Sequence, residues 1–219
     1  ASAATPDPTA VPGSADDVTF NRTASNTTAN IVSFAGGGRA VRSMTFATTG
    51  TSVFRANASG TTTARTLSLG AGGLTINSGA GAVTIGETPA TYGAINVALT
   101  ANQTWTNNSS NTFTLAGIVS GAFNFTKTGT GIIRLNGVNT MSGTLTVSGG
   151  TLQIGSYTGL STVTSLTVSG GSSNLQLVQV GTGTTSNTIN KSLSLHGTLS
   201  TAGGSSTNLL NQIWDGNIT

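Results

Sequence analysis

The chain has 219 residues, of which 6% are charged and 36% hydrophobic, with 31 glycines, no cysteine and a formal net charge of +3. Disordered chains couple low hydrophobicity to high net charge, so this balance excludes disorder, and the absence of cysteine excludes disulfides and thiolate metal sites. The basic residues are scattered, which excludes an electrostatic footprint for nucleic acid, and no apolar run approaches the roughly 18 residues of a membrane span.

Residues 1–16 read as a loop and N-terminal cap. Pro6, Pro8 and Pro12, with Asp7 and Gly13, break any regular pattern. Ala1-Ser2-Ala3-Ala4 is the small-residue context found near a signal-peptide cut. From Asp17 onward, short apolar–polar–apolar triplets take over. They begin with Val18-Thr19-Phe20, Ile31-Val32-Ser33-Phe34, Met44-Thr45-Phe46 and Val53-Phe54-Arg55. Leu67-Ser68-Leu69, Leu74-Thr75-Ile76, Val83-Thr84-Ile85 and Ile95-Asn96-Val97 continue the series. Thr104-Trp105-Thr106, Phe113-Thr114-Leu115 and Phe123-Asn124-Phe125 follow. Next come 132–135, 144–147 and 151–154, then Leu166-Thr167-Val168, Leu175-Gln176-Leu177, Leu193-Ser194-Leu195 and Ile213-Trp214. A period of two sends one side of each segment inward and the other to solvent. After residue 16 the only proline is Pro89, as expected of paired strands, because proline removes a ladder donor.

The triplets recur roughly every 7 to 12 residues, separated by Gly-, Ser- and Asn-rich turns. A sandwich could use that spacing, but its strands run to about 5–6 residues and pair as hairpins. Three short strands per turn suit a coil of about 20 to 30 residues per rung. The expectation is an all-β parallel β-helix of roughly eight rungs over residues 17–219, with no helical period. The pattern reaches Asn217-Ile218-Thr219 without a cap, so the solenoid is expected to run on beyond this end or to be covered there by another chain.

One stretch carries a family likeness. Lys127-Thr128-Gly129, Gly131, Leu135, Gly137, Asn139-Thr140, Gly143, Thr146-Val147 and Gly150-Thr151-Leu152 stand in register with the autotransporter-associated β-strand repeat, also called the passenger-associated transport repeat. This run resembles that family over about 30 residues, departing at Met141, where the family prefers Tyr, and at Thr144-Leu145, where it prefers Gly-Thr. The resemblance implies a right-handed parallel β-helix in an exported bacterial surface protein. It implies no single activity, since one scaffold serves many.

The residues themselves offer little chemistry. β-Helical lyases and hydrolases need clustered carboxylates. The acids here are Asp7, Asp16, Asp17, Glu87 and Asp215, and only Asp16-Asp17 are adjacent, in what reads as a solvated loop. Glu87 reads as a loop residue and Arg39 and Arg42 as turn flanks. His196, the lone histidine, reads as a surface or turn residue and cannot build a zinc site. The glycine runs 36–38 and 70–73 read as turns, not phosphate loops, because no helix or Lys-Ser/Thr follows. Trp105 and Trp214 read as core or cap aromatics before sugar platforms. Thr-x-Thr pairs at 104/106, 112/114, 126/128 and 144/146 raise the idea of an ice-binding array, but their uneven spacing argues against a flat one.

The expectation is therefore a non-enzymatic stalk, adhesin or fibre element, extracellular or at the cell surface, with no catalytic, cofactor-binding or metal-ligating residue. Its expected partners are copies of itself, end to end or side by side, or host or matrix glycans. The competing expectation is a polysaccharide-binding or -cleaving module, which would need a groove lined by Trp105, Tyr92 or Tyr157 with Asp or Arg beside it.

Overall fold

The computed structural model describes residues 11–21, 30–34, 36–58, 60–87, 89–178, 187–189, 191–202, 212–214 and 218–219. Each triplet finds its partner one turn later, and every strand pairing among the described residues is parallel. No hairpin occurs among them. The strands form three walls of a parallel β-helix.

The first wall stacks Asp17–Phe20, residues 43–46 and 73–76, then Gln103–Asn107, Phe125–Thr128, Thr144–Val147, Ser165–Val168 and Leu193–Leu195. The second stacks Asn30–Ser33, Ser52–Arg55, Val83–Ile85, Phe113–Leu115, Ile132–Leu135, Gly150–Ile154, Ser173–Val178 and Thr198–Ala202. The third is shorter. It holds residues 39–41 and 65–69, then Ile95–Leu99, Val119–Gly121 and Thr140–Met141. A 3-10 turn, Tyr157–Leu160, follows after the sixth second-wall strand. Among the described residues, eight strands in each of the first two walls make eight rungs, the number that the triplet spacing suggests, and Ile218 bridges onto Leu193 beyond the last.

Register, not chain length, aligns the walls. Along the first wall one inward column runs Val18, Met44, Leu74, Trp105, Lys127, Val147, Val168, Leu195. Thirty residues separate Met44 from Leu74, but only 20 separate Lys127 from Val147. The extra residues bulge out at the corners. The second wall contributes Val83, Phe113, Ile133, Leu152 and Leu175 in one column and Ile85, Leu115, Leu135, Ile154 and Leu177 in the next. Nearly all are fully buried. Each such aliphatic or aromatic side chain contributes about 1.5–3 kcal/mol by leaving water.

The structure departs from the sequence reading in four places. Leu67–Leu69 and Leu74–Ile76 are not separate strands but parts of one, Arg65–Ile76, which bends from the third wall to the first. Arg39–Phe46 bends the same way, with a register shift between Val41 and Ser43, so Arg39 and Arg42 lie within a strand rather than flanking a turn. A single α-helical turn, Pro89–Tyr92, interrupts the β pattern. Its proline sits at the first helical position, where a missing N–H costs nothing and the ring presets φ. Finally, the triplet Phe123-Asn124-Phe125 is displaced by two residues. The strand is Phe125–Thr128, and the inward position that alternation assigns to a second Phe is filled by Lys127.

Candidate functional site

The most unusual chemistry in the molecule is inside it. Lys127 is fully buried (0% exposed) between Trp105 below and Val147 above. An isolated ammonium there would be prohibitively costly. It is satisfied by three backbone carbonyls: Gly129 at 2.7 Å, Gly131 at 2.6 Å and Gly149 at 2.7 Å from Nζ. An ammonium has three N–H donors, so the cradle matches it one for one. Gly129 and Gly131 belong to the lysine's own rung and Gly149 to the next, so the side chain ties two rungs together. Burial pushes the Lys127 ammonium down to about 8, which leaves it charged at neutral pH.

The neighbouring glycines have a steric cause. Gly129 has φ +76°, and a Cβ on it would strike the carbonyl oxygen of Asn107 in the rung beneath. A Cβ on Gly131 would strike the carbonyl oxygen of Ser109. The corner must pass that close to bring both carbonyls onto Nζ. Asn107, itself buried, supports it from below. Its Nδ2 donates to the carbonyls of Asn111 (2.9 Å) and Ile132 (2.8 Å), and its Oδ1 accepts from the Ser109 N–H (2.9 Å). Next to it Trp105 packs edge-on against Phe113 and Phe125, with centroids at 5.8 and 5.0 Å. The indole N–H donates to Gln103 Oε1 at 2.7 Å, and Gln103 Nε2 donates to the Leu69 carbonyl.

Asparagines repeat this rung-to-rung stitching at the corners. Asn139 Oδ1 accepts the Val119 N–H (2.9 Å), Asn124 Oδ1 the Thr144 N–H (3.0 Å) and Asn102 Oδ1 the Asn124 N–H (2.9 Å).

The ionisable groups on the outside serve local packing. The Asp16 carboxylate accepts the Gly13 N–H at 2.8 Å and closes a turn. Asp17 accepts from Ser43 Oγ and pairs with Arg42 across two rungs of the first wall. The Ser43 hydroxyl, with Arg42 beside it, holds the Asp17 carboxyl below its ordinary range. Glu87 is more than a loop residue. It takes two nitrogens of Arg55, at 2.7 and 2.6 Å, while that guanidinium lies 4.1 Å from the centre of the Tyr92 ring. His196 is exposed just past Leu193–Leu195. Asp7, Asp215 and the side chains of Tyr157 and Trp214 lie outside the described residues. Among the described residues no group of three His, Cys, Asp or Glu side chains converges on a metal-sized site. No described helix is long and apolar enough to cross a membrane.

Those positions bear on the polysaccharide reading. Trp105, fully buried, has no face to offer a sugar. Tyr92 has Arg55 stacked on its ring. Among the described side chains, only the pairing of tyrosine with arginine at 92 and 55 answers to the aromatic–arginine pair that reading needs.

Residues 125–154 match the family profile of the passenger-associated-transport-repeat. No curated protein and no solved structure matches the chain. The matched stretch is thus similar to a passenger-associated transport repeat. Its motif residues are the clasp. Lys127, Gly129 and Gly131 build it, and Gly149, just before the matched Gly150-Thr151-Leu152, closes it from the next rung. The alternation rule missed Lys127 because it sorts lysine to the outside. The signal that could have found it is a lone Lys two residues after an inward Phe and directly before Thr-Gly-x-Gly.

Proposed function

We propose that this chain is a non-enzymatic, rod-like segment of an exported bacterial surface protein, serving as a stalk or adhesive element. The observation that carries this reading is the in-register stacking of the rungs, with no group of three His, Cys, Asp or Glu side chains converging among the described residues. At about 4.8 Å per rung, such a stack extends roughly 35 Å along its axis. Solenoid stability accumulates rung by rung, so length is adjustable without redesign. The passenger repeat supports placing the segment outside the cell.

End-to-end association is part of the reading. Among the described residues, the first strands of the first two walls, Asp17–Phe20 and Asn30–Ser33, each pair on one side only, and Ile31 is half exposed. Beside them opens an apolar hollow of about 210 Å³, lined by Val18, Phe20, Val32, Phe34 and Met44, with Pro12 at its edge. Unpaired edges over an apolar mouth are templates for another strand.

Excising one turn, residues 127–146, tests the rod. The shortened chain is expected to fold and to lose about 4.8 Å of length by small-angle scattering. Loss of cooperative folding, or turnover of any polysaccharide in a lyase or hydrolase panel, would overturn the reading.

A further inference from the structure

We infer that the outer surface of the first wall is an ice-binding face. The uneven sequence spacing of the Thr-x-Thr pairs argues against such an array, yet the strand register removes that objection. Thr104/Thr106, Thr126/Thr128, Thr146/Ser148 and Thr167/Ser169 occupy successive rungs at the same two outward positions. The pair at 144/146 joins the array one position over, as Thr146/Ser148, and the pair at 112/114 belongs mostly to the second wall. Below, Ser43/Thr45 and Gly73/Thr75 extend the columns, and above, Ser194/His196 follow, with Ile218 and Thr219 paired onto Leu193–Leu195 beyond them.

Two straight columns of hydroxyls result. Rows lie about 4.8 Å apart along the axis, and the columns about 6.6 Å apart along the strands. Successive rungs are joined within the second column: Thr106 Oγ1 and Thr128 Oγ1 are 2.7 Å apart, and Ser148 Oγ and Ser169 Oγ 3.1 Å. In-register ladders of like side chains are one of the devices that hold a sheet flat. From Gly73 to Ser169 the face carries no charged side chain. The Asp17–Arg42 pair lies beyond one end and His196 beyond the other.

The other walls are unlike it. The second presents Arg55, Arg134, Gln153 and Gln176, long side chains that bond to one another or to neighbours, such as Gln153 to Gln176 at 2.7 Å. The third is interrupted by the 3-10 turn at Tyr157–Leu160. Among the described residues, only the first wall offers an uncharged, two-dimensional repeat of hydroxyl and methyl groups. A binding partner for such a surface must itself be flat, neutral and periodic in both directions. Ice meets that description. Crystalline polysaccharide is the lesser match, because the face bears no aromatic ring for sugars to stack on. Threonine suits ice because its methyl orders adjacent water while its hydroxyl anchors it.

The inference does not depend on the stalk reading. The test is partition of fluorescently labelled protein into a slowly growing ice hemisphere, together with inhibition of ice recrystallisation. The wild-type chain is expected to enter the ice and keep grains small. Thr126→Tyr, in the middle of the face, is expected to lower incorporation at least about tenfold, whereas Gln153→Tyr on the second wall leaves it unchanged. Circular dichroism confirms that both variants keep the β fold. Wild-type protein excluded from ice, equal losses in the two variants, or retention on crystalline cellulose or chitin without entry into ice would each overturn the inference.

Discussion

Two stretches of the same first-wall column solve one problem differently. In the early rungs the column is Val18, Met44 and Leu74, beside Phe20 and Phe46 stacked at 5.0 Å, with Phe54 set edge-on to Phe46 at 5.7 Å. Those rungs are long, up to 31 residues from Leu74 to Trp105. In the passenger repeat the rung shrinks to 20 residues, and the column position holds Lys127 and its carbonyl cradle. A long rung has spare chain to form its corners and relies on bulk to fill its interior. In the 20-residue rung the tight corner brings three backbone carbonyls inward, and the Lys127 ammonium satisfies them. The lysine ties this compact corner to the next rung, and the glycines of the motif are what make the corner possible.

Truncating the early aromatic cluster should have the largest effect. Phe54→Ala removes a fully buried ring and is expected to cost about 3–5 kcal/mol. Because rungs contact only their neighbours, hydrogen exchange should accelerate in the first three rungs and stay slow around Lys127. Uniform acceleration along the chain would mean that the two regions are not separable.

Lys127→Met keeps the length of the side chain and removes the donors. It leaves the Gly131 carbonyl, which is buried, without its strongest partner, for an expected loss of about 1–3 kcal/mol by chemical denaturation. Protection should fall on both sides of the corner, at 129–131 and 149–150.

A smaller effect appears with pH. The folded-state value of Lys127, about 8, lies below the 10.5 of a free lysine. Between those values the unfolded chain binds the proton that the folded chain has released, so stability should rise as pH increases from 8 towards 10.5. Below pH 8 the group is charged in both states and contributes no slope. Thermal melts at pH 7, 8, 9 and 10 should show this rise in the wild type and its absence in Lys127→Met.

Glu87→Gln should have the least effect. The Arg55–Glu87 pair is partly exposed, so its loss is expected to cost about 0.5–1 kcal/mol and to diminish with added salt. A larger cost would show that the Arg55–Tyr92 stack depends on it.

Much of the fold was legible because a parallel solenoid writes its period directly into the sequence. Val83-Thr84-Ile85 and Leu166-Thr167-Val168 say which side faces in, and the Gly-rich gaps between triplets say where the chain turns. What stayed hidden depends on register. The short strands Val119–Gly121 and Thr140–Met141 carry too few apolar residues to register as triplets, and they form because the rungs beside them present open ladders. The bent strands Arg39–Phe46 and Arg65–Ile76 hide their continuity behind an arginine and a glycine cluster. The clasp was hidden because charge normally predicts exposure, and the Thr/Ser columns because irregular rung lengths conceal a regular surface.

Lys127 and Lys191 are the chain's two lysines, which makes nitrogen-detected NMR of the side-chain amines the most direct test of the buried clasp. The account predicts two distinct signals at neutral pH: one, from Lys191, exchanging rapidly with water, and one, from Lys127, with slowly exchanging protons and a titration midpoint near 8. Two superimposed, fast-exchanging signals that titrate together would contradict it.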